Sequence, residues 1–231
     1  MTSDEQATAY GRDGFIIVRR VFSDEDLFAW KRVVNEMLRA DEAEGRDNSG
    51  GVRVWYSKEM DPRLLSAMCD ARIIRVLNCI IGPDIEFLSA KIVFKSAKTT
   101  FGTPWHQDWY YWFGSPKISA WIPLDDCTPD NGALRVVPGT HKIDHITNAR
   151  TGEHGFTNCT PPEQIESLPV VDVVVGRGDI VFFSDKCVHG SYPNPAGADR
   201  FAFIPTYRDA SIYDDSSAWP SAILCPGESR G

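Results

Sequence analysis

The hydrophobic spacing changes character near residue 83. Upstream, "GFIIV" (14–18) reads as a short buried strand. Leu27, Trp30, Val34, Met37 and Leu38 then recur every three or four residues, giving one apolar helical face. That helix is expected over Asp24–Ala43: Ser23 is a good N-cap, and the first turn is acidic, as the helix dipole prefers. A second helical stretch, "PRLLSAMCDARIIRVLNCIIG", is expected to break near Cys69 to Ala71 and to end at Gly82-Pro83. "GRDNSGG" (45–51) between them reads as a loop.

Beyond Pro83 the period becomes two. "DIEFLSAKIVFKSA" places Ile85, Phe87, Ser89, Lys91, Val93 and Lys95 on one face of a strand. "KISAWIPLDD", "GALRVVPG", "VVDVVV", "DIVFFS" and "FAFIPTYR" follow as short strands bounded by Gly, Pro, Asp and Asn. This texture predicts a mainly β protein with flanking helices, built on a double-stranded β-helix (jelly-roll, cupin-like) core. One domain is expected: 1–83 as an N-terminal helical and strand region, 84–210 as the jelly-roll core and 211–231 as a tail. The tail keeps Trp219 and Ile223, suited to packing over the barrel or a partner subunit. Within the core, 141–168 is long, polar and poorly periodic, the character of an active-site lid.

Composition narrows the function classes. The chain of 231 residues carries a net charge of −8 with its signs interspersed, so no basic stripe is available for nucleic acid. No apolar run reaches the roughly 20 residues that span a bilayer. The N-terminus lacks a basic start and apolar stretch, so a cytoplasmic location is expected. The six cysteines (Cys69, Cys79, Cys127, Cys159, Cys187 and Cys225) show no CxxC spacing and are expected to be reduced, mostly as packing residues.

The candidate chemistry lies in "GTPWHQDWYYW" (102–112). In an extended segment, residues i and i+2 face the same way, so His106 and Asp108 can converge on one metal ion. His189 follows the apolar strand of "DIVFFSDKCVHGSYPN", where a barrel returns it towards His106. Two histidines and one carboxylate form the facial triad that leaves open positions on non-haem Fe(II). Arg200 begins "RFAFIPTYR"; an inward arginine on an apolar strand calls for an anion, and its planar fork fits a carboxylate. Iron with a dicarboxylate cosubstrate follows.

With these residues in place, the sequence resembles the phytanoyl-CoA dioxygenase (PhyH) family of Fe(II)/2-oxoglutarate oxygenases. The resemblance runs from "YGRDGFIIVRRVFSDEDL" through "WHQD" and "ISAWIPLDDCTPDNGALRVVPGTHK" to "GRGDIVFFSDKCVHGSYPNPAGADRFAF". It implies His106, Asp108 and His189 as iron ligands, Arg200 as the clamp on the distal carboxylate of 2-oxoglutarate, and Ser119 and Trp121 as cosubstrate-pocket residues. The family often carries Ser or Thr two residues after the arginine, where this chain has Ala202. It also implies Fe(II), 2-oxoglutarate and O₂ as the reacting set, with a C–H bond of a small-molecule metabolite oxidised and succinate and CO₂ released. Bacterial secondary metabolism is the expected setting, and a monomer or homodimer the expected assembly. Related halogenases replace the carboxylate ligand by Ala or Gly; retention of Asp108 points away from halogenation.

Other residues carry open readings. Lys91 and Lys95 share the inward parity of Val93, suited to the cosubstrate, to an acidic substrate group or to snorkelling at the rim. Trp109, Tyr110 and Trp112, with Trp105 and Tyr111, suggest a partly apolar substrate pocket, and Arg53 is a further candidate facing it. His141 reads as a structural turn residue, His145 and His154 as solvated loop residues, and Asp125-Asp126 as turn chemistry. Two rivals stay open: a cupin-type metalloprotein acting as isomerase or hydrolase, and a non-catalytic jelly-roll binding module.

Overall fold

Helix starts follow the local chemistry. In the computed structural model, which describes residues 1–46, 51–143 and 156–226, Thr2 caps α1 (Ser3–Asp13) and Ser23 caps α2 (Asp24–Ala43), each in a reciprocal capping box. α1 was not singled out by apolar spacing, and none of its residues is buried. Strand β1 (Phe15–Val18) lies between the two. After β2 (Val52–Tyr56) come α3 (Pro62–Met68) and α4 (Ala71–Ile80), separated at the expected break because Asp70 caps a new helix. The remaining strands are β3 (Ile85–Lys95), β4 (Thr103–His106), β5 (Lys117–Pro123), β6 (Leu134–Val136), β7 (Val171–Val173), β8 (Ile180–Ser184), β9 (His189–Ser191), β10 (Arg200–Asp209) and β11 (Ile223–Leu224). His145, His154 and the middle of the expected 141–168 lid lie outside the described residues, as do 47–50 and 227–231.

The strands form two antiparallel sheets. The larger has the order β1-β8-β5-β10-β3-β11, with β2 also paired to β3; the smaller is β4-β9-β6-β7. Both faces of the larger sheet are buried, so β5 reads as an unbroken run of buried residues. Ile118, Ala120 and Ile122 of β5, Ile180 and Phe182 of β8 and Phe203 of β10 join Leu27, Val34, Leu64 and Ile74 of the helices in one core. The opposite parity, with Trp121, Val181, Phe183 and Ile204, packs against Leu134, Val136 and Val173 of the smaller sheet. The result is a helix-backed jelly roll with its second core between the sheets. Among the described residues, no helix is long and apolar enough to cross a membrane.

Two expectations need correction. The face expected to run from Ile85 to Lys95 is split by a β-bulge: Thr206 pairs with Ser89 but Tyr207 with Phe87, leaving Leu88 over. Ile85 and Phe87 therefore join the helix-side core, while Ser89, Lys91 and Val93 line the space between the sheets. The second correction concerns the thiols: Cys69 and Cys225 form a disulfide, with Cα atoms 5.1 Å apart. The pairing follows from the fold, because β11 lies along β3 and the Cys225 amide donates to the Ile85 carbonyl at 2.8 Å. Cys79, Cys127, Cys159 and Cys187 lie outside the disulfide, and the last three are buried.

Candidate active site

His106 ends β4 and faces His189, the first residue of β9, across the ladder of the smaller sheet. Their ring centroids lie 4.1 Å apart. Each ring is oriented from behind: His106 Nδ1 lies 2.9 Å from the Pro104 carbonyl, and His189 Nδ1 2.9 Å from that of Cys187. A carbonyl only accepts, so each Nδ1 carries the proton and each Nε2 presents its lone pair, the form a metal requires. Burial, then the neighbouring His106, pushes the His189 imidazole down to about 3, so it is neutral at physiological pH.

Asp108 opens a 3₁₀ turn over Asp108–Tyr111, fixed where the Trp109 amide donates to the Asp185 carbonyl at 3.0 Å. Between the ligands, the Gln107 carboxamide donates to the Lys186 carbonyl and faces away from the site. The Asp108 carboxylate is divided. Oδ2 accepts from Lys91 Nζ at 2.6 Å and Ser119 Oγ at 3.3 Å, while Oδ1 lies 3.5 Å from His106 Nε2. Burial alone would raise its pKa, yet the Lys91 ammonium beside it holds it well below the usual carboxylate range. One donor atom each from His106, Asp108 and His189 falls within 4.8 Å of the others, and all three residues are buried. The donor set, its tautomers and its charge fit a divalent metal ion.

Arg200 begins β10 and lines the same cavity, of about 530 Å³, as the three candidate ligands. It is 1% exposed, its Nη2 donates to the Gly132 carbonyl at 2.9 Å, and its guanidinium carbon lies 5.7 Å from the centre of the Trp121 ring. Nε and Nη1 are buried with no partner. Two unpartnered donors on a buried guanidinium suit the fork of a carboxylate. Gly132 explains part of the "NGALRVVPGTHK" motif: its φ is +96°, and a Cβ there would meet Lys95 Cδ at 2.7 Å and Arg200 Nη2 at 3.3 Å.

The structure sorts the other expected site residues. Trp121, Lys91 and Trp112 line the cavity. Ser119 touches Asp108 without belonging to the lining. Lys95 shares the face but is used elsewhere, donating to the Phe101 carbonyl, Ser191 Oγ and the Tyr192 carbonyl; burial, with Arg200 and Arg135 nearby, pulls its ammonium down to about 7. Arg53 turns towards the helices, its Nε donating to Asp41 at 2.6 Å. Trp109 and Tyr110 pack against Phe113 outside the cavity, and Trp105 lies under the Arg135 guanidinium. His141 packs on Tyr10 as a turn residue, and Asp125 pairs with Lys31, both away from the site.

Several lining residues had not been singled out. Ser191 and Thr103 face the cavity, and Ser191 stands two residues beyond His189, a parity signal open to sequence reading. Phe156 packs edge-on to His106 at 4.9 Å. Val52, Val54 and Tyr56 of β2 form another wall, and Trp219 of the tail completes it, packed on Trp112 at 5.1 Å.

A jelly roll that encloses a buried His-Asp-His cluster and a buried, half-satisfied arginine in one cavity defines the non-haem iron, 2-oxoglutarate-dependent oxygenases. The chain belongs to the phytanoyl-CoA dioxygenase (PhyH) family, which it matches over residues 10–202; it is a dioxygenase of that class, and the cupin and non-catalytic alternatives fall away. It is 24% identical to the ectoine dioxygenase of Stutzerimonas stutzeri (strain A1501), over 90% of this chain and 78% of the relative. Among solved structures, the non-heme α-ketoglutarate-dependent carbocyclase SnoK of nogalamycin biosynthesis aligns with a TM-score of 0.73 and 25% identity, covering 100% of this chain and 89% of SnoK. The epimerase SnoN, solved with Fe³⁺, α-ketoglutarate and nogalamycin RO, shares the fold at a TM-score of 0.73 and 20% identity, over 97% of this chain and 86% of SnoN.

Proposed function

We propose that this chain oxidises a C–H bond of a small-molecule metabolite, with His106, Asp108 and His189 holding Fe(II) and Arg200 gripping the distal carboxylate of 2-oxoglutarate. The observation that carries the reading is the pair of orphaned Arg200 donors in the same cavity as the His-Asp-His cluster. The bound metal and cosubstrate supply oxidative decarboxylation to succinate and CO₂ coupled to oxidation of the substrate. Everything else falls to the protein. Pro104 and Cys187 keep both imidazoles in the ligating tautomer, and Lys91 with Ser119 keeps Asp108 turned so that Oδ1 is free. Trp121 flanks the arginine end, and Ser191 of the same lining is the hydroxyl available in place of the one absent at Ala202. The apolar walls from β2, Trp112 and Trp219 exclude water and hold the substrate.

A tailoring step in bacterial secondary metabolism is the setting we infer, supported by the likeness to two nogalamycin-biosynthesis enzymes. The test is anaerobic titration of 2-oxoglutarate into protein with and without Fe(II), followed by succinate release in air. Binding should require the metal, and His106→Ala should weaken metal binding by roughly 100-fold or more while leaving the fold intact. Failure of 2-oxoglutarate to bind the Fe(II) protein would overturn the assignment.

A further inference from the structure

The charges lining the cavity do not balance under the proposed occupancy. Among the described residues, its charged lining consists of Lys91, Asp108 and Arg200, and a histidine that ligates a metal through nitrogen does so in its neutral form. Fe(II) and doubly ionised 2-oxoglutarate cancel, and Asp108 offsets one of the two cations, Lys91 and Arg200. One positive charge is left over in the lining, and Lys91 is the cation bonded beside the metal position. Groups just behind the walls do not offset it. Arg135 adds positive charge, and burial works against the charged forms of both Lys95 and Asp185, the latter hydrogen-bonded to the Trp112 indole at 2.9 Å. Asp125 is already paired with Lys31.

Lys91 is also placed to use that charge. It stands on β3 with a side chain 17% exposed, and its ammonium lies 5.2 Å over the Trp112 ring. One of its three N–H bonds goes to Asp108 Oδ2; an ammonium has two more to give. A net positive charge in a largely apolar cavity is costly, and an anion brought by the substrate removes that cost. The remaining walls, Val52, Val54, Tyr56 and Trp219, are apolar or aromatic and add no second charge.

We propose that the substrate is an organic monoanion: a ring-sized apolar body with one carboxylate or acidic phenolic or enolic oxygen, held by Lys91 next to the metal position. This rests on the cofactor reading above and adds the charge of the substrate. Lys91 thereby becomes a specificity residue as well as the partner of Asp108.

The experiment uses Co(II)-loaded protein saturated with 2-oxoglutarate, with the fluorescence of the cavity tryptophans as the signal. Two probes of matched shape are titrated, 2-naphthoate and 2-naphthamide, into wild type, Lys91→Met and Lys91→Arg. Wild type should prefer the anion by roughly 10- to 100-fold, without displacing 2-oxoglutarate. Lys91→Met should lose the preference and Lys91→Arg keep it. Equal affinities, a preference that survives in Lys91→Met, competition of naphthoate with 2-oxoglutarate, or no binding of either probe would each overturn the proposal. Binding of 2-oxoglutarate to the Co(II) protein is measured first, and its failure would strike the cofactor reading instead.

Discussion

Replacing Arg200 by Met should move stability and cosubstrate affinity in opposite directions. The guanidinium is buried with Nε and Nη1 unpartnered. Each such orphaned donor costs ~1–3 kcal/mol. Methionine retains most of the stem volume, so the core is not emptied. Against the relief stands the loss of the bond from Nη2 to Gly132, worth ~1–3 kcal/mol. The balance favours the variant by about 1–2 kcal/mol, a melting point higher by a few degrees for a chain of this size. Lys95 pushes the same way, since Arg200 helps to depress its pKa and removing the guanidinium relieves that repulsion. Cosubstrate binding should collapse. Two charge-assisted hydrogen bonds at ~1.5–3 kcal/mol each amount to a loss of more than about 100-fold. Calorimetry with Ni(II) and 2-oxoglutarate reads the affinity, and thermal scans of the apo-protein read the stability. An Arg200→Met protein that melts several degrees lower, yet binds 2-oxoglutarate within about threefold of wild type, would refute the reasoning.

Two further outcomes probe the frame around the site. Cys225→Ser opens a link between residues 156 apart in sequence and should cost ~2–4 kcal/mol in urea unfolding, with a reductant bringing wild type to the same value. Asp41 is buried and accepts from Arg53 Nε at 2.6 Å, Arg46 Nη1 at 2.7 Å and Trp55 Nε1 at 2.9 Å. Burial works to raise its pKa, but these donors hold it below the ordinary value. A depressed carboxylate stabilises above the unfolded pKa of about 3.9 and loses that contribution as pH falls through the folded value. Asp41→Asn should therefore be less stable than wild type by ~1–3 kcal/mol at pH 7, with the gap closing below about pH 4; a gap constant over that range would count against the ion-pair account.

Much of the scaffold can be read from the sequence because local rules and tertiary packing agree. Ser23 and the acidic turn after it start α2, and Asp70 divides the second helical stretch where a new cap becomes available. The metal cluster is legible for a related reason: His106 and Asp108 are close in sequence, and the apolar strand before His189 fixes where that residue returns. The failures share a cause. Parity gives the face of a strand but not its continuity, so the Leu88 bulge, which leaves the apolar alternation intact to the eye, exchanges Ile85 and Phe87 for helix-side packing. Nor does parity tell how far a cavity extends, so Lys95 shares a face with Lys91 while its ammonium is bonded beyond the lining. Arg53 faces the helices because Asp41, twelve residues earlier, is a buried carboxylate needing partners, a demand that no local pattern announces.

The two ends of the cavity differ in the kind of information that builds them. His106, His189 and Arg200 stand on strands and meet backbone carbonyls, while Asp108 opens the short turn after β4. The substrate wall depends on the tail, whose placement is decided by distant contacts. Asp214 is gripped by Lys117 Nζ at 2.5 Å, Ser115 Oγ at 2.7 Å and Arg208 Nη1 at 3.2 Å. Ser216 Oγ donates to the Trp112 carbonyl at 2.6 Å, and further along Cys225 is tied to Cys69. Between these anchors Trp219 is held against Trp112. No short motif encodes that strap, since every anchor except Arg208–Asp214 pairs residues roughly a hundred or more positions apart. The reaction class is therefore written in local patterns, while the substrate is selected by a wall that exists only once the chain has folded. Lys91 bridges the two, bonded to the metal ligand Asp108 on one side and open to the cavity on the other, which makes its charge the most direct handle on what the wall encloses.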